Sequence, residues 1–301
     1  MRAERPQDRW FATATGALLL TSGPALGALV AGAPGAAAGL VAGAGAAAGA
    51  SHLLRRGTRR RAAALALPFP QSWRDFLVER YDHYERLPPE WRARFEDDVR
   101  LFLAEKRITG IGTDATEDRR LLVAASAVTL TLGWPDAEWD RLTEVLLYPD
   151  DFDRDYAFGA DDEEGRAGEA HPWGTVILSV PTLEESFEFD DDGYHVGLHE
   201  FAHLLDVEQA RFDGMPAGLA SQARRAWPAL VEQETDRIRK RRSVLDEYGA
   251  EDVVEFFPVA VEAFFERPQP MRRRHPELYE TLRDYFAQDP AAWEDALGRR
   301  A

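Results

Sequence analysis

The feature that most restricts how this chain can fold is a long run without charge near its amino terminus. The 45 residues from Trp10 to Leu54 contain no Asp, Glu, Lys or Arg, and Ala, Gly, Leu and Val dominate them. A helix needs about 20 apolar residues to cross a bilayer. The run is therefore long enough for two membrane-spanning helices.

The arrangement of residues within and around this run favours a hairpin. Gly32-Ala33-Pro34-Gly35 offers a break between two helices. Glycines at four-residue spacing, such as Gly39 and Gly43, allow close helix approach in lipid. Arginines flank both ends of the run, which favours a hairpin with both ends in the cytoplasm. We expect a membrane anchor within residues 10–54. A single span, a signal peptide, a disordered tail and a soluble cytoplasmic protein are the alternatives.

Charge divides the chain in the same way. Residues 1–70 contain eight Arg against Glu4 and Asp8, which gives them a net charge of +6. Because the whole chain carries −17, the remaining residues carry −23. An acidic body repels phosphate backbones, so we expect no nucleic-acid partner. The basic end suits the anionic inner membrane of a bacterium. We therefore expect the body to lie on the cytoplasmic side, held away from the lipid by a linker.

Composition and local pattern predict three parts. Residues 1–61 form the apolar segment, residues 62–71 a linker with two prolines as breakers, and residues 72–301 one folded body. For the body we expect an α+β fold that is mainly helical, with a small sheet. Its predicted elements are helices over 73–86, 90–106, 117–132 and 137–146, an acidic loop over 148–169 and a strand over 173–180.

The chemistry centres on the sequence His199-Glu200-Phe201-Ala202-His203. Residues four apart lie on one face of a helix, so both imidazoles can reach one cation. Zinc binds neutral imidazole and, in catalytic sites, leaves one position for water. Glu200 can take the proton of that water. The chain has no cysteine, so any metal must be held by His and carboxylate ligands.

A third ligand is expected on a later helix, and Glu251–Glu266 is the candidate. Glu255 and Glu262 are seven residues apart and share a face that is otherwise apolar. A carboxylate on such a face is costly unless it is paired or metal-bound. The spacing leaves both residues open as the ligand.

Other residues near the motif are candidates for supporting roles. Asp206 could accept the second ring N–H of a ligand histidine, and His195 could face substrate or lie behind the ligands. Tyr248 could donate to a developing oxyanion. The strand that begins near Trp173 and Gly174 could pair with an extended peptide.

Several stretches resemble the Mlc titration factor A family, bacterial zinc peptidases of the gluzincin type, over roughly residues 69–290. His195 departs from the family, in which Asn is usual at this position, and the long apolar segment is not typical. The matching stretches are Leu147–Asp150, Pro172–Ser179, Leu198–Asp206, Asp213–Pro216, Tyr248 and Glu255–Phe265.

The resemblance implies a zincin-like domain with one zinc on His199, His203 and Glu255, and Glu200 as the base. It also implies a role for Tyr248 like that in the lethal-factor peptidase fold. Family members resemble aminopeptidases, and one binds a transcriptional repressor. The first hypothesis is therefore a peptidase acting on peptide or protein substrates. The second is a module that sequesters a protein regulator, with a latent or structural zinc site.

Overall fold

The computed structural model describes residues 6–135, 139–153, 155–157, 165–189, 191–208 and 211–298. The chain divides into two compact units, Met1–Pro68 and Phe69–Ala301, which we call the amino-terminal segment and the body. The unit boundary falls within residues 62–71, but helix continues to Ala66, so most of the expected linker is helical.

The amino-terminal segment consists of helix α1 (Pro6–Ala66), which is interrupted at Ala31 and Gly32. Gly32 has a φ of 60°, which glycine adopts without steric cost. Among the described residues one stretch, Ala28–Gly49, is long and apolar enough to cross a membrane. Leu29 and Val30 are 86% and 84% exposed. Both side chains are therefore exposed apolar groups within this stretch.

The body is mainly helical with a small sheet, as predicted. Helix α7 carries the His-Glu-x-x-His sequence, and a 3₁₀ helix (Glu247–Ala250) precedes α9. The helices are α2 (Gln71–Arg80), α3 (Asp82–Arg86), α4 (Pro89–Glu105), α5 (Glu117–Thr131), α6 (Val180–Ser186), α7 (Val196–Leu205), α8 (Ser221–Arg239), α9 (Val253–Glu266), α10 (Pro268–Arg274), α11 (Pro276–Phe286) and α12 (Pro290–Gly298).

The main sheet has four strands, β1 (Arg107–Gly110), β2 (Glu144–Tyr148), β3 (Gly168–Ala170) and β4 (Thr175–Ser179), in the order β1-β2-β4-β3. Strands β1, β2 and β4 are parallel, and β3 is antiparallel to β4. Parallel neighbours need a crossover connection, which α5 provides between β1 and β2. The position of β4 between β2 and β3 leaves it no free edge. A short hairpin of β5 (Val207–Glu208) and β6 (Arg211–Phe212) follows α7.

Three local predictions were wrong. The helix predicted over 137–146 is replaced by β2, where Val145 and Leu147 are buried at the period of a strand. The loop predicted over 148–169 ends in strand β3. The helix predicted over 73–86 is divided at Tyr81, whose φ of −142° is extended. In all three places, pairing or packing with distant residues overrides the local pattern.

Helices α7 and α9 form the centre of the body. Helix α7 contacts α9, α5 and strand β3. All its residues from Val196 to Leu204 are buried, and α9 is buried from Phe256 onwards. Burial of a polar group is costly unless it finds a partner. The polar residues of these two helices must therefore contact one another or a ligand.

Candidate metal centre

Both ends of α7 are fixed by side chains. His195 is the N-cap, and its Nδ1 accepts a hydrogen bond from the Leu198 amide at 3.2 Å. At the other end the carboxylate of Asp206 accepts from the amides of Gly214 and Met215, both at 2.8 Å. These contacts set the rotation of the helix about its axis. They thereby fix the direction in which His199 and His203 point.

His199, His203 and Glu255 meet at one point between α7 and α9. Oε2 of Glu255 lies 3.1 Å from Nε2 of His199 and 3.3 Å from Nε2 of His203. One potential ligand atom from each residue lies within 4.8 Å of the other two. Two imidazole nitrogens and one carboxylate oxygen form a donor set that zinc accepts in catalytic sites.

Glu262, one of the two candidates for the third ligand, lies behind His199. Its Oε2 is 3.2 Å from Nδ1 of His199, and its Oε1 accepts from the His195 amide at 2.7 Å. In a neutral ring, a hydrogen bond from Nδ1–H to this carboxylate leaves Nε2 free to bind a metal. Glu262 therefore orients His199 towards Glu255. His203 has no such carboxylate behind it: its Nδ1 is buried and has no hydrogen-bond partner in the described part of the chain.

Glu200 is buried and packs against strand β3. A Cβ added at Gly168 would lie 2.5 Å from Oε1 of Glu200, so only glycine leaves room for this carboxylate. Burial raises the pKa of Glu200, and this effect exceeds the lowering by the neighbouring His199 and His203. A carboxylate with a raised pKa is a better proton acceptor than one in water. No local pattern points to Gly168, because the sequence predicts a loop over 148–169.

Tyr248 lies at the rim of the site. It is 44% exposed, and its ring centroid is 5.9 Å from that of His199. Asp246 fixes this turn by accepting a hydrogen bond from the Tyr248 amide at 2.8 Å. Burial, followed by the charge of Glu255, raises the pKa of Tyr248 to about 12. The phenol therefore remains a hydrogen-bond donor at neutral pH.

These groups face an open cleft of about 690 Å³, a size typical of ligand sites. Among the described lining residues, acidic side chains outnumber basic ones, and Arg166 is the one arginine. It pairs with Glu169 at 2.9 Å. The described residues that line the cleft are Asp151, Gly165, Arg166, Ala167, Gly168, Glu169, Ala170, Tyr194, Val196, His199, Glu200, His203, Phe212, Asp246, Tyr248, Val254, Glu255, Val259 and Glu262.

The remaining candidate residues lie away from the cluster of His199, His203 and Glu255 or serve the fold. Asp206 bonds to backbone amides rather than to a histidine. His195 is fully buried, and burial lowers its pKa to about 3, so its ring is neutral. Trp173 is 67% exposed and stacks on His171 at 4.3 Å, outside the lining of the cleft. Gly174 has a φ of 98° and abuts the Arg141 carbonyl in the turn before β4.

Comparison with known proteins identifies related chains. A family model described as glucose-regulated metallo-peptidase M90 matches residues 55–287. An uncharacterized protein of Synechocystis sp. is 33% identical over 238 residues, which cover 74% of this chain and 86% of the relative. Mlc titration factor A of Escherichia fergusonii is 28% identical over 236 residues, 72% of this chain and 86% of the relative. The protein of the same name from Salmonella gallinarum is 29% identical over 223 residues, covering 68% and 82%.

Proposed function

The chain belongs to the glucose-regulated metallo-peptidase M90 family, and on that basis we propose that it is a zinc-dependent peptidase with Glu200 as its general base. The observation that carries the proposal is the meeting of His199, His203 and Glu255 in an open cleft beside Glu200. A structural zinc site is usually closed by four protein ligands, whereas a catalytic site has three.

We propose His199, His203 and Glu255 as the ligands of one zinc ion per chain. The donor set fits because both histidines direct Nε2 to the same oxygen of Glu255. Glu262 supports the geometry through Nδ1 of His199. Zinc bound there would supply a Lewis acid for the scissile carbonyl and would lower the pKa of a water molecule.

In this proposal Glu200 accepts the proton of the attacking water and passes it to the leaving amine. Its buried position and raised pKa support this role. Tyr248 donates its phenolic hydrogen to the carbonyl oxygen as negative charge develops there. The exposure of Tyr248 at the rim supports contact with substrate.

The peptide is expected to pair with β3 rather than β4. Strand β4 has a neighbour on both sides, so the pairing expected from the sequence is not available to it. In the sheet β3 is the end strand, and Gly168 and Ala170 in it line the cleft. Because alternate residues of a strand direct their backbone groups to opposite sides, Gly168 and Ala170 can bond to an extended peptide next to Glu200.

We also propose an aminopeptidase-like preference. Asp151, Glu169 and Asp246 line the cleft in addition to the metal-site carboxylates. Their negative charge favours the free α-ammonium group of a peptide over a carboxylate end. Purified protein should therefore cleave amino-acid p-nitroanilides, lose activity with a chelator and regain it with zinc. No chelator-sensitive cleavage of any substrate would contradict the peptidase assignment.

The second candidate function is capture of a protein regulator. The relatives named Mlc titration factor A carry a name that describes titration of another factor. A chain that sequesters a regulator would bind it equally well with Glu200→Gln. Unchanged binding together with absent hydrolysis of all substrates would favour this function over the first.

For localisation we propose that the amino-terminal segment anchors the body to the cytoplasmic face of a bacterial inner membrane. The apolar stretch Ala28–Gly49 and its exposed side chains support an anchor. The arginines on both flanks of residues 10–54 support a hairpin with both ends in the cytoplasm. Fractionation followed by protease treatment of spheroplasts tests both parts. Digestion of the body from outside would mean a single span or export, and a fully soluble chain would mean no anchor.

A further inference from the structure

The charge of the body is distributed unevenly. Residues 71–301 carry −23 in total, but eight cations lie in two short stretches, so the other residues of the body carry −31. The two stretches follow or end helices α8 and α10. We call these eight residues the basic patch: Arg237, Arg239, Lys240, Arg241, Arg242, Arg272, Arg273 and Arg274.

The two stretches form one surface. Nη1 of Arg237 donates to the carbonyl oxygen of Arg274 at 3.1 Å. Side chains from both stretches, together with Asp236, line a depression of about 480 Å³. The depression is open to solvent, so the patch is accessible to a large flat partner.

A buried network holds this surface in place. Nδ1 of His275 lies 2.5 Å from Oε2 of Glu234, and Nε2 of His275 accepts from the Val244 amide at 3.2 Å. His275 follows α10, Glu234 lies in α8, and Val244 follows the first stretch of the patch. The network therefore connects the elements that carry the cations, and the side chains of His275 and Glu234 in it are buried.

Part of the patch has no acidic partner. Four of the cations have acidic partners: Arg237 pairs with Glu234, Lys240 with Asp236, Arg241 with Glu247 and Arg272 with Asp295. Within the described ranges, Arg242, Arg273 and Arg274 make no salt bridge, and all three are exposed. One or two cations satisfy the partial negative charge at a helix end. Eight cations exceed what the ends of α8 and α10 need.

The backbone conformation at Arg241 also indicates that the cations of the patch do more than cap the helices. Arg241 has a φ of 54° directly after the end of α8, a position at which glycine is the usual residue. An L-residue in this conformation is strained. The chain nevertheless places the fourth cation of the first stretch here, where glycine would fit the backbone better.

We propose that the basic patch docks the body onto an anionic lipid bilayer. The proposal rests on the membrane anchoring proposed above, which keeps the body close to lipid. Phosphate headgroups at a membrane surface attract clusters of 4–8 Lys and Arg side chains. Acidic groups more than about 8 Å from the lipid are largely screened at physiological salt. The total charge of −23 therefore does not prevent docking through one basic face, contrary to the expectation from the sequence.

The bilayer is favoured over other anionic partners. The amino-terminal segment supplies apolar surface suited to lipid, and Arg55–Arg61 add further cations beside it. Lipid binding through two signals is stronger than through one.

Energy transfer from a labelled body to lipid headgroups tests the proposal. The chain has no cysteine, so the full-length protein can carry one fluorophore at Glu277→Cys, three residues after Arg274. Asp118→Cys on α5 is a second reporter that makes the same change in charge. The labelled protein is reconstituted into phosphatidylcholine vesicles with or without one third phosphatidylglycerol.

The test variant replaces Arg242, Arg273 and Arg274 by Gln. The control variant replaces Arg80, Arg107 and Arg211 by Gln. These three arginines are also exposed, so the control variant loses the same three positive charges as the test variant. In anionic vesicles we expect strong, salt-sensitive transfer from the label at position 277. Each arginine removed from the patch should lower the ratio of docked to undocked protein about fivefold, or about 100-fold for three. The control should stay close to the unmodified protein.

Equal transfer in neutral and anionic vesicles, or equal losses in both variants, would overturn the proposal. Duplex DNA binding that only the test variant loses would overturn it too and assign the patch to nucleic acid. Flotation with neutral vesicles distinguishes anchoring by the amino-terminal segment from docking by the basic patch, because docking requires anionic lipid. If the chain floats only with anionic vesicles, and the test variant does not, docking is supported and the anchor is wrong. If it floats with neither, both are wrong.

Discussion

Helix α1 and the pair α7 and α9 are both apolar, but their side chains meet opposite surroundings. Leu29 in α1 is 86% exposed, whereas Phe264 in α9 is fully buried. In α7 and α9, packing by neighbours buries most of the polar groups, so these groups contact one another or face the cleft. In α1 the described apolar side chains of Leu29 and Val30 are exposed. Apolar sequence alone therefore does not identify a core, because the partner of each face decides its role.

The largest effect is expected inside the buried pair, at Glu200. Glu200→Gln keeps the size of the side chain but removes its ability to accept a proton. We expect kcat for p-nitroanilide hydrolysis to fall about 10²–10⁴-fold, the usual contribution of a general base. Zinc content, measured by atomic absorption, should stay at one ion per chain. Undiminished turnover would remove Glu200 from the mechanism.

The same truncation in the two regions should have different effects on stability. Phe264→Ala removes a buried ring that packs on Phe265 and Phe286. We expect it to lower the free energy of unfolding by about 3–5 kcal/mol. Leu29→Ala removes an exposed side chain, so unfolding of the body should not change.

Denaturant unfolding monitored by tryptophan fluorescence measures both variants in the full chain. Flotation with lipid vesicles provides the complementary measurement, in which Leu29→Ala should weaken the association and Phe264→Ala should not. A loss of body stability in Leu29→Ala would show that α1 packs on protein. That result would contradict the contrast between the exposed helix α1 and the buried helices α7 and α9.

The sequence predicts the centre of the site better than its surroundings. Two histidines four residues apart on a helix must share a face, so the structure brings His199 and His203 together as expected. The spacing could not separate Glu255 from Glu262, because both lie on one face of α9. Only the positions of the His195 amide and the His199 ring place Glu262 behind the ligands.

The fold class was predictable, whereas short strands were not. Long periodic helices such as α4 and α5 carry their own signal, and both lie within a residue of their predicted bounds. Strand β3 has three residues, and its pairing with β4 depends on contacts that no local pattern encodes. The role of Gly168, which leaves room for the Glu200 carboxylate, depends on that pairing, because the pairing brings the strand against Glu200.

The third prediction separates a ligand from its support. We expect Glu255→Ala to abolish stable zinc binding. Glu262→Ala should weaken zinc affinity about 10–100-fold, because it releases Nδ1 of His199 without removing a ligand. Competition with a chromophoric chelator measures both affinities. If Glu262→Ala empties the site and Glu255→Ala does not, the two roles are reversed.

The smallest effect concerns a buried histidine remote from the metal ligands. His83 packs on Phe265 and Trp293, and its Nε2 has no hydrogen-bond partner in the described part of the chain. Burial, followed by the charge of Arg86, lowers the pKa of His83 to about 3. In the unfolded chain the pKa returns to about 6.5. Below pH 6.5 the unfolded chain therefore binds a proton that the folded body does not.

Because the unfolded state binds more protons in this window, stability is lost as pH falls from about 6.5 towards about 3. One histidine contributes about 1.4 kcal/mol per pH unit once pH is well below 6.5. His83→Phe keeps an aromatic ring but cannot titrate, so its free energy of unfolding should fall less steeply between pH 6.5 and pH 5. Any overpacking by the new ring would lower stability equally at both pH values. Denaturant titrations of both proteins across this range measure the slopes, and identical slopes would show that His83 is protonated in the folded body.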